Sequence, residues 1–281
     1  MSDPTIAVAL GAGGARGLAH IAALQAFDEM GIKPAALAGS SMGSLIASAY
    51  ASGMTGDEVE EFTLDRLELG PELLSRLWSL RAGSFAEFLK SGGLRLGELN
   101  VEKIMDVFLP EALPQRIEEL TIPAQIVATD YYGHKSQAFE TGDLKTSIAA
   151  SSAIPAVFRP VVINETVYID GGITNPVPVD GLAGKADILI GIDVAGGPNG
   201  TPGTRPGKVD VLYASSQLMQ HSIAREMASR CKTDIFLSPR VGGYRVLDFL
   251  KAKEILQATA PFKDEVKTAI HTAFETAARQ N

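Results

Sequence analysis

The stretch from Ala35 to Ser52, AALAGSSMGSLIASAYAS, most constrains what this chain can fold into. It holds Gly39-Ser40-Ser41-Met42-Gly43, a G-x-S-x-G pattern. Its physical reading is a strand that stops, turns sharply at Ser41 and enters a helix. Glycines on both sides of the serine let neighbouring backbone pass close to a strained turn, leaving the hydroxyl at its tip. Ser44, Leu45, Ile46, Ala47 and Ala49 then continue as a tightly packed helix, whose amino end favours negative charge beside Ser41. Small residues in a strand-to-helix turn also serve packing alone, so the pattern needs support from elsewhere in the chain.

That support begins one strand earlier. Thr5 to Leu10, TIAVAL, is a continuous apolar run suited to a buried parallel strand. It leads into Gly11-Ala12-Gly13-Gly14-Ala15-Arg16-Gly17, and the spacing of Leu18, Ile21, Ala22, Leu24 and Phe27 predicts a helix over Leu18 to Met30, closed by Gly31. Strand, glycine loop and helix in that order point several N–H groups and a positive helix end at one place. Arg16 adds a fixed donor. A dinucleotide site is the obvious competitor. However, the second strand, Ala35 to Ala38, runs into Gly-Ser-Ser where ribose hydroxyls require an acidic residue, and the strict glycine spacing is broken. An oxyanion loop next to the serine elbow is the favoured reading.

Further on, Thr55-Gly56-Asp57-Glu58 reads as a capped helix start. The stretch from Leu73 to Leu99 mixes Leu, Trp78, Phe85 and Phe88 with basic residues and glycines. It is either a helical excursion packed on the sheet or a mobile cap over an acyl groove. A short helix is expected over Asn100 to Phe108. Ile122 to Thr129 reads as a buried strand, with a return strand from Ser136 to Phe139. A helix follows over Leu144 to Ser151, an extended segment over Val157 to Val162 and a strand over Val167 to Ile169. That strand ends in Asp170-Gly171-Gly172, which either presents a carboxylate to a cleft or forms a hairpin turn. Ala186 to Val194 is another buried strand. The tail predicts helices over Tyr213 to Arg230 and Leu247 to Ala278, separated by a strand over Asp234 to Leu237.

With 281 residues, 46% hydrophobic and 21% charged, the chain can bury a sizeable core. A net charge of −8 and a pI of about 5.1 argue against nucleic acid and against attraction to an anionic membrane, leaving at most transient, apolar membrane contact. The single Cys231 cannot form an internal disulfide and fits a reducing compartment. The start, MSDPTIAVALGAGG, lacks a basic n-region, and no apolar run reaches the ~18 residues of a membrane span. The expectation is a cytoplasmic chain. Acidic residues are scattered and histidines unclustered, so no metal and no cofactor is expected.

Taken together, the sequence resembles the patatin-like phospholipase family, in its bacterial cytoplasmic branch. The likeness rests on the run from Gly11 to His20, on Gly39-Ser40-Ser41-Met42-Gly43, on Ala150-Ser151-Ser152-Ala153-Ile154-Pro155, and on Tyr168-Ile169-Asp170-Gly171-Gly172 with Asn175-Pro176-Val177-Pro178. It implies a single three-layer α/β/α sandwich with a mostly parallel, Rossmann-like central sheet. The motif-bearing core covers about residues 5–200, and a helical extension about 205–281. It further implies an acyl hydrolase of lipid esters working through a Ser-Asp dyad, with Ser41 as nucleophile and Asp170 as general base. Backbone N–H groups of Gly13, Gly14 and Ala15, in a loop shaped by Arg16, would form the oxyanion hole. Gly11, Gly17, Gly39, Gly43, Gly171 and Gly172 complete the motifs. The same residues would also permit acyl transfer, and a regulatory or ligand-binding protein on a hydrolase scaffold is the non-enzymatic alternative. His221 or His271 could instead complete a Ser…Asp…His order. Oligomeric state is not legible.

Overall fold

A computed structural model describes residues 4–69, 101, 105, 108–198 and 203–280. The readings made for residues 73–99, and most of the helix expected over 100–108, lie outside the described residues.

The apolar run near the start forms β1 (Ile6–Leu10), buried at every position as a central parallel strand must be. It sits in an eight-stranded sheet between β2 (Ala36–Ser40) and β7 (Ile188–Ile192), parallel to both. Parallel pairing continues outward to β3 (Ala124–Asp130) on one side and β8 (Ile235–Leu237) on the other. The remaining strands are antiparallel additions at the β3 edge. There β4 (Lys135–Phe139) and β6 (Thr166–Ile169) both pair with β3, and β5 (Val161–Ile163) pairs with β6.

Helices flank the sheet on both faces. On one face Ile6, Val8, Leu10, Leu37 and Ile126 pack into the main core with α1 (His20–Glu29), α2 (Met42–Ala51) and α3 (Gly56–Leu69). The same core takes in α4 (Leu144–Ser151), α6 (Ala252–Thr259) and α7 (Phe262–Gln280). The opposite face carries Ala7, Ala9, Ala36 and Ala38. Their small side chains let Val177 and Val179 and α5 (Lys208–Arg230) lie close against the strands. The predicted α/β architecture is present, with the sheet parallel in its centre and antiparallel at one edge.

Three local readings are corrected. The first helix is preceded by a 3-10 turn over Gly14–Ala19, because the glycine loop winds tightly before α1 begins at His20. The segment expected to be extended from Val157 contributes only Val161–Ile163 to the sheet. It turns back through Asn164 and Glu165, both at positive φ (47° and 65°), the geometry of a tight hairpin turn that usually signals itself with Asn-Gly. The long C-terminal helix is split into α6 and α7 at Ala260-Pro261, since proline has no N–H to continue the ladder.

Candidate active site

The sheet register brings the serine elbow and the Asp-Gly-Gly turn together. Ser40, the last residue of β2, pairs with Val127 of β3. Beyond the end of β2, on the same side of β3, β6 runs antiparallel to β3, with Ile169 opposite Thr129. Asp170 and Gly171 follow immediately, and Gly171 lies so close to the Val127 carbonyl that a Cβ there would collide with it. Residues 41 and 170 are thereby delivered to the same end of β3. The Ser41 hydroxyl donates to Asp170 Oδ2 at 2.6 Å, with both side chains buried.

Ser41 itself is strained. Its φ of 54° and ψ of −125° lie where L-residues rarely sit, a departure worth about 1–3 kcal/mol that surrounding contacts must hold. Two features hold it. Gly43 brings α2 against the Leu10 carbonyl of β1, an approach that no side chain would allow. The Ser41 N–H donates to Ser151 Oγ at 2.8 Å, and the Ser151 hydroxyl donates to the Val127 carbonyl at 2.6 Å. Ser151 is fully buried at the end of α4, so the elbow is tied to β3 through one side chain. Ser151→Ala leaves a buried N–H and a buried carbonyl without partners and should destabilise the fold by about 1–3 kcal/mol in urea unfolding. If the elbow depends on this tie, kcat falls more than KM changes.

Asp170 occupies the N-cap of a 3-10 turn, Gly171–Ile173, so the hairpin-turn alternative for Asp-Gly is set aside. Its Oδ1 accepts from the Gly172 N–H at 2.8 Å, and its main-chain carbonyl accepts from the Thr129 hydroxyl at 2.9 Å. Burial pushes its carboxyl up from 3.8 to about 6, against the opposing hydrogen bonds from Ser41 and Gly172.

The glycine loop lies beside the elbow. Gly17 presses on Met42, which follows Ser41, and a Cβ on Gly172 would meet Ala12. Gly11 and Ala12 donate their N–H groups to the carbonyls of Ile192 and Pro176. The reading of Ala15 needs correction: its N–H is donated to the Val246 carbonyl at 2.7 Å and does not point at an incoming oxyanion. The N–H groups of Gly13 and Gly14 have no acceptor among the described residues. Gly14 sits at φ 56° against the Val246 backbone, a position that excludes a side chain. Arg16 is buried, and its Nε–H donates to the Gly13 carbonyl at 3.2 Å. Burial lowers its pKa to about 10, while Asp193 and Asp248 pull it up by charge. Its guanidinium faces those carboxylates and Gly196, so Arg16 shapes the loop.

The histidines lie elsewhere. His20 is fully buried and donates Nε2–H to the Gly11 carbonyl at 2.8 Å, and burial pushes its pKa down to about 4. It is a neutral prop under the loop. His221 Nδ1–H donates to Asp193 Oδ2 at 2.7 Å, His134 sits in the β3–β4 turn, and His271 is exposed on α7. Among the described residues no histidine bonds Ser41 or Asp170. No group of His, Cys, Asp and Glu among them could hold a metal ion.

The family profile described as Patatin-like phospholipase matches residues 8–183, a span that includes the glycine loop, the elbow and Asp170. The chain belongs to the patatin-like phospholipase family. An "Uncharacterized NTE family protein" of Mycobacterium tuberculosis is 34% identical over 236 residues, which is 82% of this chain and 61% of that protein. The human "Patatin-like phospholipase domain-containing protein 6" is 26% identical over 197 residues, covering 69% of this chain and 14% of that one. The chain thus spans about three-fifths of the mycobacterial relatives' length. Among solved structures, VipD from Legionella pneumophila overlays 97% of this chain and 67% of its own, at a TM-score of 0.48 and 13% identity. The patatin-like match stops before Asp193, Val246 and Asp248, three residues that brace the glycine loop from outside it. Sequence reasoning did not identify them, because each acts through folding and none lies in a motif.

Proposed function

We propose that this patatin-like chain is a serine acyl hydrolase of lipid carboxylic esters, working through a Ser41–Asp170 dyad and an acyl-serine intermediate. The observation that carries this reading is the 2.6 Å hydrogen bond from a strained, buried serine hydroxyl to a buried carboxylate. As Ser41 Oγ attacks the ester carbonyl carbon, its proton passes to Asp170 Oδ2, and the carbonyl oxygen becomes an oxyanion. The Gly13 and Gly14 N–H groups are the donors for it. The tetrahedral species collapses, expelling the alcohol, which takes the proton from Asp170. A water then attacks the acyl-serine carbonyl and gives its proton to Asp170, and collapse returns that proton to Ser41 and releases the acid.

A carboxylate with an ordinary pKa is a poor base, and the rise to about 6 brings Asp170 nearer to what proton abstraction needs. Beside the elbow, Met42 lines a mostly apolar recess with Leu18, Leu45, Ile46, Phe62 and Phe108; Thr63 and Arg66 line it too, and it has room for about one water. Because the base must be deprotonated, kcat/KM for p-nitrophenyl butyrate rises with pH through about 6 and levels above it. His271→Ala, on the exposed surface of α7, should leave that rate unchanged. Loss of turnover in His271→Ala with retention in Asp170→Asn would replace the dyad by a histidine mechanism. Covalent labelling of folded protein by a fluorophosphonate tests the enzymatic reading itself; absence of labelling at Ser41 would leave the non-catalytic alternative standing.

A further inference from the structure

Helix α5 projects past the sheet. It connects the parallel strands β7 and β8, so it runs antiparallel to both, with its amino end on the side of the sheet where β7 ends. His221 is level with that edge, because it bonds Asp193, the residue immediately after β7. The preceding part of the helix, from Lys208 to Gln220, therefore extends roughly 20 Å beyond the sheet, at 1.5 Å per residue. Ser41 and Asp170 lie at the same edge, where Gln220 Nε2 stands 3.7 Å from the position a Cβ on Gly172 would take.

The projecting half has a surface unlike the rest of the helix. Val211, Leu212, Leu218 and Met219 are 47%, 60%, 52% and 60% exposed, and helical spacing puts all four in one outward sector. Ser215 and Ser222 complete that sector, and their hydroxyls donate back to the carbonyls of Val211 and Leu218. Their hydrogen-bonding need is met within the helix. Lys208 and Asp210 stand in its first turn, and from Val211 to Ala224 there is no Asp, Glu, Lys or Arg. Beyond that stretch, where the inner face packs on the sheet through Ala224 and Met227, three of the four exposed positions are charged: Arg225, Glu226 and Arg230, with Ser229 the fourth. An uncharged apolar face confined to the part of a helix that rises beside the site fits the hydrocarbon boundary of a lipid surface. The net charge of −8 selects a surface of zwitterionic headgroups over an anionic one.

We infer that Val211, Leu212, Leu218 and Met219 on the projecting half of α5 seat the protein on a zwitterionic lipid surface, beside the site that draws its substrate from that surface. The inference rests on the proposed lipid-ester hydrolysis, but its test is separate. Full-length wild type and Leu218→Glu/Met219→Glu are floated with phosphatidylcholine vesicles, and both are assayed on soluble p-nitrophenyl butyrate. Wild type should float; the double variant should partition at least about tenfold less while hydrolysing the soluble ester at an unchanged rate. Phosphatidylserine in the vesicles should weaken wild-type partition. Failure of wild type to float, equal flotation of the variant, or tighter binding to anionic vesicles would overturn the inference. So would a wild-type dimer in solution that the variant splits, since the face would then be covered by a second copy. Flotation without ester turnover by wild type would overturn the proposed hydrolysis and leave the seating in place.

Discussion

Ser41→Ala lowers ester turnover by at least about 10⁴-fold, to what loop donors and substrate binding alone can supply. No neighbouring hydroxyl can take over. Ser40 Oγ donates to the Asn175 carbonyl, Ser44 Oγ to the Ser41 carbonyl and Ser151 Oγ to the Val127 carbonyl. Each is fully buried and committed to a structural bond, while Ser41 alone has its hydroxyl on a carboxylate. The fold should survive the change. Removing one oxygen from a strained turn leaves Gly43, Ser151 and the sheet register in place, so Ser41→Ala should stay folded. Its stability in urea should fall by no more than the about 1–3 kcal/mol that the lost hydrogen bond to the buried Asp170 carboxylate is worth. Burst kinetics with a p-nitrophenyl ester check the first part, since the variant should show no burst and a steady state slower by at least about 10⁴-fold, and urea unfolding checks the second.

Asp170→Asn separates catalysis from stability more sharply. Turnover should fall by about 10³–10⁴-fold, because an amide cannot accept the serine proton. Stability should move the other way. The folded chain holds a proton on Asp170 between pH 3.8 and about 6 that the unfolded chain has released. The buried carboxylate therefore costs stability as pH rises through that window, and the full cost, on the order of 3 kcal/mol, is present above it. Asparagine removes the charge and keeps the geometry, with Oδ1 still accepting from Gly172 and Nδ2 donating to Ser41. At pH 8 the variant should melt no lower than wild type, and below pH 4 any difference should vanish. A variant both inactive and markedly less stable at pH 8 would mean that Asp170 holds the fold together and its carboxylate is not kept for chemistry.

Much of this was readable from residue order. The central parallel strands announced themselves as short apolar runs, because a strand buried on both faces has no polar side to alternate. The α3 start was equally legible: Thr55 and Glu58 exchange the side-chain and backbone hydrogen bonds of a capping box. Legibility failed where tertiary contacts decide. That Ala15 donates to Val246, or that Asp193 and Asp248 draw on Arg16, depends on chain segments some 180 to 230 residues apart being folded side by side. The Asn164-Glu165 turn was missed because a glutamate at positive φ carries no local signature. The approach of Asp170 to Ser41 is an intermediate case. The motifs named both residues, but only the pairing of β2 and β6 on β3 explains why they meet.

A structure of the protein after reaction with a fluorophosphonate tests the central claim most directly, because the adduct copies the tetrahedral species. The dyad account predicts phosphorus bonded to Ser41 Oγ, Asp170 within hydrogen-bonding distance of that oxygen, and the phosphoryl oxygen facing the N–H groups of Gly13 and Gly14. An adduct on any other residue, or a phosphoryl oxygen turned away from the glycine loop, would contradict it.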